Sequence, residues 1–147
     1  MTAGLAIPEP YHALLQRPCY AHVATLRPDG WLSVHPAAIM FDDGLVRFST
    51  LKSRGKFRNL QRDARLSLSI IDPDNPLRHL ELRGRASWVE DEGRCFIDAI
   101  ARQYFGRDRY PYDRPGAERV VVTLHVEQIA GAGFAAVPAP ATQPSGV

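Results

Sequence analysis

Cys19-Tyr-Ala-His-Val-Ala-Thr-Leu26, Arg27-Pro-Asp-Gly30 and Trp31-Leu-Ser-Val-His-Pro-Ala-Ala-Ile-Met-Phe41 run on from one another, and this stretch decides the fold. Two alternating apolar segments flank a four-residue turn signal, the pattern of a β-hairpin. A second turn at Asp42-Asp-Gly44 leads into Leu45-Val-Arg-Phe-Ser-Thr50, which completes a three-strand meander. Pro36 marks a bulge or an edge in the second strand, because proline donates nothing to a ladder.

Outward from this meander the same grammar repeats. Arg65 to Ile71 alternates, with Leu66, Leu68 and Ile70 on one face, and Asp72-Pro-Asp-Asn-Pro76 is a dense turn signal. The return arm, His79 to Trp88, places Leu80, Leu82, Ala86 and Trp88 on one side and His79, Glu81, Arg83, Arg85 and Ser87 on the other. Gly84 allows a sharp bend within it. Arg119 to Ile129 reads as the last strand. Helices are predicted over Pro8 to Gln16, over the basic stretch after Thr50, and from about Glu90 to Tyr104, the last ending at Gly106. Six strands joined mainly by hairpins, with short helices inserted, predict a mainly β fold: a closed or nearly closed antiparallel barrel, which leaves few exposed edges. Such a barrel fills its interior with side chains, so a ligand must sit outside it or between subunits. The reading divides the chain into one domain, residues 1–134, and a Pro/Ala/Ser/Gly-rich tail, 135–147, expected to be disordered.

Composition excludes several classes. The 147 residues are 45% hydrophobic and 23% charged, ordinary for a globular chain. No apolar run approaches the roughly 20 residues that cross a bilayer, and no leader pattern opens the chain, so a cytoplasmic protein is expected, without a membrane partner. Cys19 and Cys95 lie far apart without metal-ligand spacing, and the five histidines are equally scattered, so no metal site is expected. No Gly-x-Ser-x-Gly or paired-carboxylate motif is present, and no catalytic acid or base is assigned.

The chemistry concentrates in Lys52-Ser-Arg-Gly-Lys-Phe-Arg-Asn-Leu-Gln-Arg-Asp-Ala-Arg65, which holds six Lys/Arg against one acid, Asp63, in a chain whose formal net charge is only +2. A strand ending at Ser49-Thr50 runs straight into a helix entry with Ser53 as N-cap and Arg54, Gly55 and Lys56 in the first turn. Helix N-termini offer unpaired N–H groups and a partial positive charge, which suits phosphate. Basic residues there oppose the dipole unless an anion binds between them. The same charges also fit a solvated helix, with Arg54, Arg58 and Arg62 on an exposed stripe and Phe57 and Leu60 inward. Charge alone supports both readings. Nucleic acid is disfavoured, because the positive charge is confined to one helix and no exposed aromatic series accompanies it.

Ser33-Val-His-Pro36, Asp43-Gly44, Phe48-Ser-Thr50, Ser53-Arg54, Lys56, Asn59-Leu60, Arg62-Asp63, Ser67-Leu68, Arg83-Gly84-Arg85 and Arg119-Val120, in this order and spacing, resemble the split-barrel flavin-binding proteins related to pyridoxamine 5′-phosphate oxidase, and within them the branch that uses coenzyme F420. The resemblance spans about residues 11 to 131. It implies that Arg54 and Lys56 hold a cofactor phosphate, that Ser49 and Thr50 contact the phosphate or ribityl chain, and that His35 and Pro36 lie beside the ring system. Lys52, Ser53 and Asn59 complete the implied cofactor set. It further implies a homodimer with the cofactor in a groove between two barrels, with Trp88 and Tyr110-Pro111-Tyr112 near the interface or rim. True pyridoxamine phosphate oxidases share an Arg-rich C-terminal substrate segment, which Ala135 to Val147 does not match, so vitamin B6 oxidation is not expected. F420 carries a lactyl-oligoglutamate tail, and Lys52 and Arg58 suit its carboxylates, which favours F420 over the alternative, FMN. The implied function is hydride transfer between the deazaflavin and a small organic acceptor; a flavin oxidoreductase or a flavin carrier without turnover is the alternative.

Overall fold

The computed structural model describes residues 4–134; the tail read as disordered lies outside them. Among the described residues six strands, β1 (Tyr20–Leu26), β2 (Leu32–Asp42), β3 (Leu45–Leu51), β4 (Arg65–Asp72), β5 (Asn75–Glu90) and β6 (Arg119–Ala132), close into an antiparallel barrel in the order β1-β2-β3-β6-β5-β4. Three helices accompany them: α1 (His12–Gln16), α2 (Gly55–Arg62) and α3 (Cys95–Phe105). None of the described helices is long and apolar enough to cross a membrane.

The alternation predicted for the strands is the alternation found. Leu66, Leu68 and Ile70 of β4 and Leu80, Leu82 and Ala86 of β5 are buried. They meet Val23, Ile39, Val46, Phe48, Val122 and Leu124 in one core that fills the barrel. This leaves ligand sites to the outer surface. Trp88 is only partly buried, packed edge-on against Phe57 with ring centroids 5.4 Å apart. That contact fixes α2 to the barrel, so Trp88 is a packing residue here.

Gly84 sits where the β5–β6 register shifts, between Arg83↔Gln128 and Gly84↔Val126. A Cβ at Gly84 would stand 1.9 Å from the carbonyl oxygen of His125. The close approach of two backbones is what requires glycine.

Several boundaries differ from the sequence expectation. The β4–β5 hairpin turns through Pro73 and Asp74 alone, with Asp72 Oδ1 accepting from the Asp74 N–H at 2.8 Å, so β5 starts at Asn75 rather than His79. The first helix is a 3₁₀ turn, Glu9–Tyr11, leading into a single turn of α1. Glu90 ends β5 instead of opening a helix. Asp91 accepts the N–H groups of Phe96 and Ile97 at 2.9 and 3.0 Å, and α3 begins at Cys95 after a 3₁₀ turn with Gly93 and Arg94 in left-handed backbone. The predicted stop at Gly106 holds, with φ 65° at the C-cap.

Pro36 marks an edge. β2 pairs with β1 from Leu32 to Ala38, but with β3 only from Ile39 to Asp42. Beyond Phe48, β3 leaves β2 and continues along β6 as far as Leu51. The two strands splay at this point, and α2 and α3 flank the gap.

Candidate functional site

The splay between β2 and β3 opens into two chambers that share Pro36, Arg54 and Lys56 as walls. The larger, about 680 Å³, is basic: Arg27, Arg58 and Arg62 line it, with Ser33, His35 and Asn59. The smaller, about 320 Å³, lies between Ser49, Thr50 and Leu51 of β3 and the Ile97, Ile100 and Phe105 face of α3.

The helix entry between them differs in detail from expectation. α2 begins at Gly55 with Arg54 as N-cap, and no side chain caps it, so Ser53 is not the N-cap. The Ser53 carbonyl instead accepts from Arg58 Nη1 at 2.8 Å. The first-turn N–H groups of Gly55 and Lys56 have no acceptor among the described residues, as at any uncapped helix start.

The basic residues sort by partner. Lys52 pairs with Glu90 and with Glu118, the latter at 3.2 Å, which ties the end of β3 to β5 and β6. Its charge is matched within the protein, and it lines neither chamber. Arg65 pairs with Asp63 at 2.7 Å and holds that carboxyl down at about 2. Arg62 donates to the Leu26 carbonyl. Among the described residues, Arg54 and Lys56 make no ion pair and no side-chain hydrogen bond, yet both face the chambers. Burial first, then the nearby guanidinium groups of Arg54 and Arg119, push the Lys56 ammonium below its ordinary pKa. The opposite charge of a bound anion would offset this lowering.

The remaining expected residues are brought to the same place. Thr50 is buried in the wall of the smaller chamber beside Ser49. His35 and Pro36 are exposed on the splayed part of β2, with Ser33 Oγ 3.3 Å from His35 Nδ1. Asn59 is buried and donates to Thr25 Oγ1 at 3.0 Å, which leaves its amide a structural link between α2 and β1 as well as a chamber wall. Tyr110 lines the smaller chamber, whereas Tyr112 is exposed. No grouping of three or more His, Cys, Asp or Glu able to hold a metal occurs among the described residues.

Arg27 and Arg62 in the larger chamber and Arg119 in the smaller carried no site role in the sequence reading. Arg119, at the start of β6, enters the smaller chamber. Its Nε and Nη2 donate to Asp113 at 2.6 and 2.8 Å and its Nη1 to Ser49 Oγ at 3.1 Å. The Tyr110 ring lies 4.9 Å from its guanidinium carbon.

The sequence matches the family model described as pyridoxamine 5′-phosphate oxidase over residues 7–132. The chain belongs to this family. Among solved structures it is similar to an F420 reductase, with 35% identity, 84% of this chain and 98% of that chain covered, and a TM-score of 0.74. A conserved hypothetical protein of Mycobacterium tuberculosis shares the fold at 21% identity, with 99% and 98% covered and a TM-score of 0.69. So does a FAD-binding protein of Mesorhizobium loti, at 16% identity, with 82% and 89% covered and a TM-score of 0.62. No curated protein matches the chain. The family's fold is the six-stranded barrel described above, and flavin- and F420-related proteins are among its structural neighbours.

Proposed function

We propose that this protein is an F420-dependent reductase that acts on a small organic acceptor. The observation that carries the reading is the pair Arg54 and Lys56: two cations without protein counter-charges, at an uncapped helix entry, facing a basic chamber. Residues of this kind fit a phosphate, since each supplies charge-assisted hydrogen bonds and the open N–H groups of α2 add two more donors. The 35% identity to an F420 reductase over most of both chains supports F420 as the phosphate-bearing group.

The arrangement also supplies the carboxylate sites that F420 needs beyond its phosphate. Lys52, engaged by Glu90 and Glu118, does not serve there. Arg58 and Arg62, neither of them ion-paired among the described residues, line the larger chamber beside the phosphate position and take over the role for the oligoglutamate tail, whereas Arg27 on the same wall is paired with Asp29 at 3.3 Å.

When bound, reduced F420 supplies a hydride to the acceptor. The protein's part is to bind and orient. Arg54 and Lys56 would hold the phosphate and the Ser33–Pro36 segment would border the ring, with Ile97, Ile100 and Phe105 of α3 forming an apolar wall of the adjoining chamber. Exposed Trp31, just before β2, and exposed Leu32 and Val34 on it form an apolar border suited to a second copy of the chain, and a homodimer that closes the groove is part of the proposal.

A fluorescence titration of the full chain with F420 and, separately, FMN tests the reading. Saturable F420 binding, tighter than FMN and weakened in Arg54→Gln, is the expected result. Tighter FMN binding would make the protein a flavoprotein of the same fold, and binding of neither would return α2 to a solvated basic helix.

A further inference from the structure

The linings of the two chambers, taken together, are rich in hydrogen-bond donors, and no Asp or Glu among the described residues faces either chamber. The acids around the site are engaged elsewhere: Asp29 pairs with Arg27, Glu90 and Glu118 with Lys52, and Asp113 with Arg94 and Arg119. The shared wall therefore offers an anion the Arg54 and Lys56 side chains and the open N–H groups at the start of α2. Asn59, the one amide side chain in the linings, has its oxygen 3.4 Å from Arg62 Nη2, which donates to it. The other side-chain oxygens there are hydroxyls, each with a hydrogen of its own to give.

Ser49 is the hydroxyl whose direction the structure fixes. A guanidinium only donates, so the 3.1 Å contact from Arg119 Nη1 makes Ser49 Oγ the acceptor. The serine hydrogen is thereby turned away from Arg119 and has no acceptor among the described residues, on a side chain that lines the smaller chamber. Arg119 has little freedom to release it. Its side chain is 9% exposed, Asp113 accepts from its Nε and Nη2 at 2.6 and 2.8 Å, and Arg94 holds Asp113 at 2.8 Å. An ion pair needs the Asp113 contacts alone, and the bond to Ser49 is additional to them.

We infer that the anion grip selects an oxyanion that carries no proton, such as a phosphodiester or a fully ionised phosphate ester, and that Arg119, aligned by Asp113, is the positioning residue that holds Ser49 as a donor toward it. A protonated oxygen would set its own hydrogen against these donors and find no carboxylate to receive it, which leaves polar groups unpaired in a partly buried site. The inference rests on the anion grip of the reductase reading, not on hydride transfer, and adds to it the ionisation state of the ligand.

Sulfate and inorganic phosphate test it without a cofactor. At pH 8 both are dianions of similar size, and phosphate alone carries a proton. Each is titrated into the full chain while the Gly55 N–H resonance is followed by NMR. Sulfate should bind tighter than phosphate by about tenfold, the effect of one buried polar group left unpaired. Ser49→Ala, which leaves the Arg119–Asp113 pair in place, should bring that ratio to about threefold or less. Arg119→Gln, whose amide can also accept and so lets Ser49 turn, should do the same, and Arg119→Lys, again a pure donor, should restore the preference. A merely structural role for Arg119 would change both affinities together and leave their ratio alone. Should Arg119→Gln fold poorly, Ser49→Ala still decides. Equal binding of the two anions, or a ratio unmoved in Ser49→Ala, would overturn the inference and leave the anion grip standing, whereas binding of neither would remove both. Sulfate preference in a chain without F420-dependent turnover would uphold the inference and remove the reductase reading.

Discussion

Replacing Lys56 by methionine should make the ligand-free protein more stable and the anion site much weaker. In the folded protein Lys56 is partly desolvated and stands near Arg54 and Arg119, and its pKa is lowered for those reasons in that order. A base whose folded-state pKa lies below its unfolded value is penalised when protonated. That penalty is complete below the folded-state value and vanishes as pH rises past the ordinary lysine value of 10.5. At neutral pH, below 10.5, the wild type therefore carries this penalty. Methionine keeps the apolar stem over Phe48, whose ring centre is 5.6 Å from Nζ, and removes the charge. The expected gain is about 0.5–1 kcal/mol, or a rise of about 2–4 °C in the melting temperature at this chain length. The same change deletes one charged hydrogen bond to a phosphate, about 1.5–3 kcal/mol, or about 10- to 100-fold in affinity. Differential scanning fluorimetry at neutral pH and an F420 titration read the two effects on one sample. A lower melting temperature together with affinity within about twofold of wild type would refute the assignment of Lys56 as an anion ligand kept at a cost to stability.

Three further outcomes follow from the geometry. The Tyr104 hydroxyl accepts the N–H groups of Cys19 and Ile39 at 3.0 and 3.1 Å and lies against their carbonyl oxygens, so Tyr104→Phe should cost about 2 kcal/mol in denaturant melts by orphaning those groups. Gly84→Ala forces a Cβ into the His125 carbonyl and should cost about 3 kcal/mol or prevent folding, whereas alanine at exposed Ser53 should change stability by less than about 0.5 kcal/mol. Arg119 first, then Arg94, hold the Asp113 carboxyl below its ordinary pKa of 3.8, so the pair stabilises the fold above that pH and the contribution is lost as pH falls through the lower folded-state value. Melting temperatures measured from pH 5 down to pH 2.5 should fall less steeply in Asp113→Asn than in wild type, from a lower starting point.

What was legible in the sequence was whatever repeats with a short period or stands next to its consequence. The alternation in Cys19–Phe41 and Arg65–Trp88, with turn residues between, fixes hairpins, and hairpins in that number close a barrel. Arg54 and Lys56 were legible because they are consecutive with the strand end that presents them. Gly84 was legible as a bend because a lone glycine in a strand pattern has few other uses. The start of α3 was not, because Asp91 caps it from outside the helical pattern and Arg94 adopts a left-handed conformation that no periodicity announces. Nor was the role of Lys52, whose acids Glu90 and Glu118 arrive from the end of β5 and from the loop before β6. Arg119 carries the same lesson: its neighbours Asp113, Tyr110 and Ser49 come from a loop and another strand, and only the closed barrel puts them together.

The attachment of α3 has a consequence for how such proteins diversify. The helix is moored near its end by one tyrosine hydroxyl set between the backbones of β1 and β2, while its Ile97 and Ile100 face the smaller chamber. The mooring depends on main-chain atoms, which every sequence possesses, and not on the identity of the residues along that face. Exchanges along that face can therefore reshape the chamber while the barrel and the Arg54–Lys56 helix entry stay as they are. Substrate range and scaffold are in this way free to evolve at different rates within one short chain.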